Sequence, residues 1–374
     1  MMVFHGLQNQ VKWRLKMSKA AELAKAGETL TNQPSGRKNI VTNGAMQIAQ
    51  RATSSTGAGA ANNVYLTVDR WVVELGATSA GRFTMTQTAD GPSGFANCMK
   101  IDCTTADTSI AAGEAFSIAH RIEGQDVQQL KKGTSDAEYI TVSWYAKGTA
   151  KTYGLEVHDA DNSRNIHKLF TVSSSWQKFT ATFPGDTTGA LDDDNAKSLH
   201  VAFWVHAGST FTGGTLNTAW AANDNANRAA GIDSFFSSTD NELFITGVQM
   251  EIGSQATPFE HRSFGEELAL CSRYYTDIVR ADNNTAHLVG YTQTASVARF
   301  GFHVPMRAAP TIVETNFMVL HAGGSEEAIT SVDDISQDNQ FVSFRGNVSA
   351  NLTEGQAVAL FSSGAATLTF DSEI

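Results

Sequence analysis

Ten histidines, scattered carboxylates and six tryptophans carry the chemistry open to this chain. The histidines are His5, His120, His158, His167, His200, His206, His261, His287, His303 and His321. No two form the His-Glu-x-x-His pair that holds zinc on a helix. His200 and His206 fall on one face of an alternating segment, six residues apart. That is roughly 20 Å along an extended strand, too far for one metal to bridge. Asp159-Ala-Asp161-Asn-Ser163 begins like a calcium loop. It lacks Gly at the sixth place, and Phe170 stands where a bidentate acid belongs, so it reads as a hairpin turn. Asp192-Asp193-Asp194 reads as a solvated loop, since a hard cation also needs carbonyl partners. Thr212-Gly213-Gly214-Thr215 precedes no helix and is not a phosphate cradle. No Gly-x-Ser-x-Gly elbow occurs. Asp102, Glu114, Glu156 and Glu251 are acids from which a glycosidase pair could be drawn, but places on separate strands fix no distance. The expectation is no catalytic residue, no metal and no cofactor.

The tryptophans say more. Trp71 and Trp144 sit among core-type neighbours and read as packing. Trp176 opens a strand, as core or rim. Trp204 shares a strand face with His200 and His206, and Trp220 lies in a long polar loop. A sugar ring offers an apolar C–H face, so glycan sites combine aromatic platforms with amides and carboxylates. Trp220, Trp204, Asn223, Asp224 and Asn225 would supply that set. The alternative is packing, with Trp204 under the long loop and Trp220 pressed down upon it.

The elements that must position these residues are strands. The chain has 374 residues, 41% hydrophobic, 17% charged and with 31 glycines. Thr, Ser, Asn and Gly fill the polar quota, which suits strands joined by turns and argues against coiled coils and helical solenoids. A net charge of −11 excludes a general nucleic-acid binder. No apolar run reaches the ~18 residues of a membrane span, and Met1–Lys16 has no apolar stretch of the secretory kind. Cys98, Cys103 and Cys271 make no disulfide framework, consistent with reduced thiols and synthesis in a cytoplasm.

Residues 1–38 form a separate region. Seven basic and two acidic residues give it +5, leaving −16 for the remainder. Ser18–Gly27 predicts a short capped helix, and Thr31–Gly36 a linker. The region reads either as a loose tail or as an attachment arm that orders on a partner, with Lys19, Leu23 and Lys25 as its contacts. Met17 also offers a second start.

From Asn39 the period becomes two. Strands are predicted over Asn39–Met46, Asp69–Glu74, Gly81–Thr88, Asn97–Thr104, Ala115–Ile122, Tyr139–Ala146, Thr152–His158, Ile166–Val172, Trp176–Phe183, Leu199–His206 and Glu242–Ile252. With only Gly124–Lys132 helix-like among them, residues 39–263 imply a jelly-roll β-sandwich, its core including Val142, Val201 and Phe203. Ser54–Asn63 and Ala207–Asp240 read as long loops. Ser263-Phe-Gly-Glu266 is a capping box, and Phe264, Leu268, Cys271 and Tyr275 follow at helical spacing. Residues 264–374 then give that short helix and a second, smaller β-sandwich, with strands at His287–Thr294, Ser296–Val304, Thr311–Leu320, Gln340–Arg345, Ala357–Ser362 and Thr367–Asp371.

Seven stretches carry a resemblance. Met17-Ser-Lys-Ala-Ala-Glu-Leu-Ala, Lys38-Asn-Ile-Val-Thr-Asn-Gly-Ala-Met-Gln-Ile-Ala-Gln-Arg51 and Val68-Asp-Arg-Trp71 resemble the opening of bacteriophage tail-fibre and virion-appendage proteins. Thr246–Ser263 with Glu266–Tyr275 resembles their domain-closing signature. Tyr139–Lys147 and Trp176–Thr180 look like strands of jelly-roll carbohydrate-binding modules. Such modules often hold a structural calcium, but Met46-Gln47 and Thr246-Gly247 occupy the comparable places, so no metal ligand carries over. The resemblance implies a non-enzymatic virion protein, a tail fibre or receptor-binding appendage. It would join other virion proteins through the N-terminal arm, contact host surface glycan, and assemble as a homo-oligomer, with a trimer favoured. It implies neither nucleic-acid binding nor membrane insertion. Capsid decoration or a tail adaptor is the alternative within the particle; a carbohydrate-active enzyme or its binding module is the alternative outside it.

Overall fold

Period-two patterning becomes antiparallel sheet throughout the computed structural model, which describes residues 37–77, 79–277, 285–303, 306–337 and 341–374. Lys19, Leu23 and Lys25, with the predicted N-terminal helix, lie outside the described residues. The first unit contains β1 (Ser54–Ala58), β2 (Val64–Tyr65), β3 (Trp71–Leu75), β4 (Arg82–Thr88), β5 (Cys98–Thr105), β6 (Ala115–Glu123), β7 (Ile140–Gly148), β8 (Thr152–Asp159), β9 (Arg164–Thr171), β10 (Gln177–Phe183), β11 (Lys197–Ala207), β12 (Ala221–Ala222) and β13 (Glu242–Ile252). One sheet runs β1-β4-β5-β13-β7-β10 and the other β12-β9-β8-β11-β6-β3-β2. Together they make a jelly-roll β-sandwich.

Its core lies between the sheets. Val142 and Trp144 from one face Val201 and Phe203 from the other, all buried. The Phe203 ring centroid lies 6.1 Å from Trp71 and 5.7 Å from Trp144. Each large side chain buried here contributes about 1.5–3 kcal/mol relative to exposure. All three cysteines are buried and free.

Two expectations fail at the start of this unit. Asn39–Met46 is not a strand but a turn-rich crossing segment. Asn side chains take over the backbone pairing there. Asn39 Oδ1 accepts from Val41 N and Met250 N, both at 3.1 Å, and Asn43 Nδ2 donates to Ile48 O (2.8 Å) and Asp69 O (2.9 Å). Local side-chain bonding of this kind competes with a ladder. Ser54–Asn63, read as loop, opens with β1, which pairs with β4 at the sheet edge. Its mostly exposed side chains leave no hydrophobic alternation to read.

Between β11 and β13 the chain forms α1 (Ser209–Thr212), β12 and two 3-10 turns. After β13, Ser263 opens α2 (Phe264–Ser272) with both halves of the expected capping box in place. Phe264, placed on the apolar face by spacing, is 61% exposed, while Cys271 is buried.

The second unit contains β14 (Tyr275–Asp277), β15 (Thr285–Thr294), β16 (Val297–His303), β17 (Thr311–His321), β18 (Ser325–Ala328), β19 (Ser331–Gln337), β20 (Phe341–Asn347) and β21 (Ala357–Asp371). The two strands expected after Ala357 are one long strand. These elements form a single sheet, β18-β17-β21-β15-β16-β20-β19, with β14 also on β21. The Phe344 ring on β20 lies 5.9 Å from Phe370 on β21, although β15 and β16 separate those strands in the sheet. The small sandwich is therefore one sheet curled over its own core.

Buried charges fix the two units together. Arg70 pairs with Glu373, donates to Arg121 O (2.7 Å) and lies 3.3 Å over the Tyr274 ring. Arg121 and Tyr65 both donate to Ile374 O, at 2.6 and 2.9 Å. Glu123 accepts from Arg273 and Tyr274. A cavity of about 440 Å³, lined by Asp126, Asn195, Arg273, Tyr274 and Arg307 among others, opens at this junction. Among the described residues, no helix is long and apolar enough to cross a membrane.

Candidate functional site

The segment between β11 and β13 folds over the outer face of the seven-stranded sheet. Phe211, Ala229 and Ile232 pack there on Val72, Ala119, Ala202 and Trp204. Trp204 is consequently only 3% exposed. It cannot serve as an open sugar platform. This corrects its placement in the glycan set and favours the packing alternative for that residue.

Beneath the segment lies a carboxylate. Leu155 and Val157 of β8 point into the core, which turns Glu156 to the outer face. Glu156 is 0% exposed. Its Oε2 accepts from Trp204 Nε1 (2.7 Å) and Arg228 Nη2 (2.8 Å). Its Oε1 accepts from Arg228 Nε (2.9 Å) and Asn165 Nδ2 (3.3 Å), and meets His167 Nε2 at 3.2 Å. The Arg228 guanidinium also lies 4.7 Å over the Trp204 ring. Burial opposes ionisation of Glu156. The Arg228 charge, with His158, His167 and His200 around it, outweighs that and holds the carboxyl well below the usual carboxylate range. Burial likewise lowers His200, leaving its ring neutral.

A short relay runs from this carboxylate to the surface. Asn165 Nδ2 also donates to Asn223 Oδ1 (2.8 Å), and Asn165 Oδ1 accepts from Asn217 Nδ2 (2.8 Å). Asn223, Asp224 and Asn225 are exposed. Asp224 caps the following 3-10 turn by accepting from Ala226 N at 3.0 Å. Trp220 stands just before β12, half-buried, with Nε1 donating to Pro184 O at 2.8 Å. Lys132 Nζ lies 5.6 Å from its ring. Trp220 and Asn223–Asn225 thus share one sheet edge around β12, which pairs with Arg164 and Asn165. Trp204 lies in the covered layer and joins them only through Glu156 and Asn165.

The predicted hairpin at Asp159–Ser163 connects β8 and β9, with Asn162 N donating to Asp159 Oδ1 at 2.9 Å. The cation facing Asp159 is an ammonium. Buried Lys132 Nζ reaches Asp159 Oδ2 (2.5 Å), Asp186 Oδ2 (3.1 Å), Thr188 O (2.7 Å) and Gly189 O (2.9 Å). The acids considered for a glycosidase pair are engaged separately. Glu114 meets His206 Nε2 (3.1 Å), Glu251 accepts from Thr257, and Asp102 lies on β5 beside Lys100. Spacing does not reveal the Glu156 ring. His167 and Arg228 lie 11 and 72 positions away, and no motif joins them.

No family model and no curated protein matches this chain. Among solved structures, a CBM4 module is similar at 14% identity, over 57% of this chain and 99% of that one, with a TM-score of 0.30. The family 11 carbohydrate-binding module of a Clostridium thermocellum cellulosomal cellulase aligns at 12% identity, over 56% of this chain and 99% of that one, with a TM-score of 0.28. The CBM22-1 xylan-binding domain from Paenibacillus barcinonensis gives 12% identity, 56% and 100% coverage, and a TM-score of 0.27. Likenesses this distant carry no argument about what this chain binds.

Proposed function

We propose that this chain is a non-enzymatic virion protein, a tail fibre or receptor-binding appendage, that contacts host surface glycan along the Trp220 edge. One observation carries the glycan reading. A half-buried indole, tied down by its bond to Pro184 O, shares a sheet edge with the exposed Asn223, Asp224 and Asn225. A platform already held in place loses little freedom on binding. The indole covers a ring face, and the amides and acid pair with hydroxyls. The virion role is supported by the resemblance of the opening and closing stretches. Weak contacts suffice there, because an oligomer, a trimer in this proposal, engages one surface several times. Lys19, Leu23 and Lys25 belong to the arm that attaches the protein to the particle.

Trp220→Ala tests the glycan contact through oligomeric state and cell-surface adsorption measured side by side. The expected result is an intact oligomer with single-site affinity ten- to a hundredfold weaker, the roughly 1–3 kcal/mol of a lost anchoring aromatic. Broken assembly or unchanged adsorption refutes the site. Deletion of residues 1–35 tests the arm. Incorporation into particles should be abolished while unfolding of the β units stays nearly unchanged; normal incorporation refutes the attachment role.

A further inference from the structure

Two stacked histidines stand beside Glu156. His158 on β8 and His200 on β11 are direct partners in the antiparallel ladder. Their rings stack at 4.7 Å with planes 13° apart. Glu156 precedes His158 by two residues and so shares its face. His158 Nδ1 lies 3.7 Å from Glu156 Oε1, and His200 Nε2 lies 3.8 Å from Oε2. One ligand atom from each of the three residues falls within 4.8 Å of the others.

A second observation is independent of that clustering. His200 is 3% exposed, and neither of its ring nitrogens has a hydrogen-bond partner among the described residues. His158 Nδ1 is buried and unsatisfied as well. Buried polar atoms are satisfied as a rule, so orphaned ring nitrogens facing one carboxylate call for an explanation. His167 supplies the contrast. Its Nδ1 meets Asn217 O at 3.3 Å while its Nε2 meets Glu156.

We propose that His158, His200 and Glu156 form a binding site for a divalent transition-metal ion of the zinc class, held closed by Arg228. Two imidazoles and one carboxylate suit zinc, cobalt, nickel or copper rather than calcium or magnesium. Ligand atoms about 2.0–2.1 Å from a tetrahedral ion lie about 3.3 Å apart, so donor atoms now within 4.8 Å of one another must draw together by up to about 1.5 Å, and the stacked imidazoles must turn out of parallel so that both lone pairs converge. Arg228 now saturates the carboxylate through both oxygens. The ion gains Glu156 by displacing that guanidinium, which sits on the covering segment with its side chain 16% exposed and can turn toward water. One positive partner of the buried carboxylate replaces another.

The test uses the full chain, freed of metal by chelator and titrated calorimetrically with zinc chloride. Cobalt chloride gives a parallel visible-absorption readout. The wild-type chain should bind one zinc ion per chain at this site, with calcium failing to compete. His158→Ala and His200→Ala should each weaken binding at least tenfold. Arg228→Gln should strengthen it and enlarge the rise in Tm that zinc produces. Circular dichroism without metal checks each fold, and if His200→Ala does not fold, the less buried His158 decides. Affinity unchanged in the histidine variants, or no zinc bound by any chain including Arg228→Gln, overturns the site. Affinity unchanged in Arg228→Gln overturns the role given to Arg228.

Discussion

Trp204 and Trp220 stand sixteen residues apart and end in opposite settings. Trp204 is sealed beneath the segment that follows it, and its indole N–H is spent on a buried carboxylate. Trp220 lies at the rim of the same sheet, its N–H spent on a backbone carbonyl and part of its ring in water. The covered region is a closed circuit of charge. Glu156 has a guanidinium, an indole and an amide donating to it, and each depends on the others being present. In the rim region, Asp224 caps its own turn and Asn225 faces solvent. A buried circuit fails as a unit when one member is lost, whereas a rim loses only the contacts of the residue removed.

Glu156→Ala is the hardest test of that contrast. It leaves Arg228 and the neighbouring donors without their acceptor, and stability in chemical denaturation should fall by about 3–5 kcal/mol. A loss below about 1 kcal/mol would mean that the circuit is slack.

The covered region should also contribute to the acid sensitivity, beside His120 and His206, which burial lowers in the same direction, and against Asp69, which burial raises to about 6. The folded-state pKa of His200 is lowered by burial, so unfolded chains take up its proton first as pH falls through about 6.5. Glu156 is held well below the usual carboxylate range near 4.5, so its contribution is present above that pH and lost as pH falls below it. Both signs agree: stability should decline from about pH 6.5 downward and more steeply below about 4.5. Glu156→Gln should flatten the steeper, lower limb, part of which belongs to Asp186, Asp107 and Glu74, whose carboxyls are lowered too; an unchanged limb would assign it wholly elsewhere.

Trp204→Phe retains most of the packing but deletes one donor to a buried charge. It should cost about 1–3 kcal/mol. Trp220→Ala should cost least, about 1 kcal/mol, because part of its ring is wet already and the residue lies at a sheet edge. Equal losses at the two tryptophans would erase the distinction between circuit and rim.

Much of the scaffold is legible in residue order. Leu199, Val201, Phe203 and Val205 alternate against His200, Ala202, Trp204 and His206, and β11 follows with the first set in the core. Ser263 and Glu266 mark the start of α2. Where apolar alternation is missing, the reading fails. The edge strand β1 and the two-residue β12 expose polar or small residues on most positions, so nothing in their pattern separates strand from loop. Asn39–Met46 fails for the opposite reason. Its apolar residues suggest a strand, but Asn39 and Asn43 draw the backbone into side-chain bonds. In the candidate site, Trp220 and Asn223–Asn225 are adjacent in sequence and could be grouped there. The surroundings of Trp204 could not.

The sequence by itself determined which face each strand residue takes, because side chains alternate with a fixed period of two. That much places Glu156 with His158, and His200 with Trp204, each pair on its own strand. Only the tertiary structure decided that the two strands are neighbours, with His158 directly opposite His200 and Glu156 opposite Ala202. It also decided that a segment returning from β11 would lay Arg228 over them. Register is set by how whole sheets bury their apolar faces together, and a shift of one residue would turn Glu156 into the core. Partners brought together by register, 11 to 72 positions apart, leave no trace in local spacing.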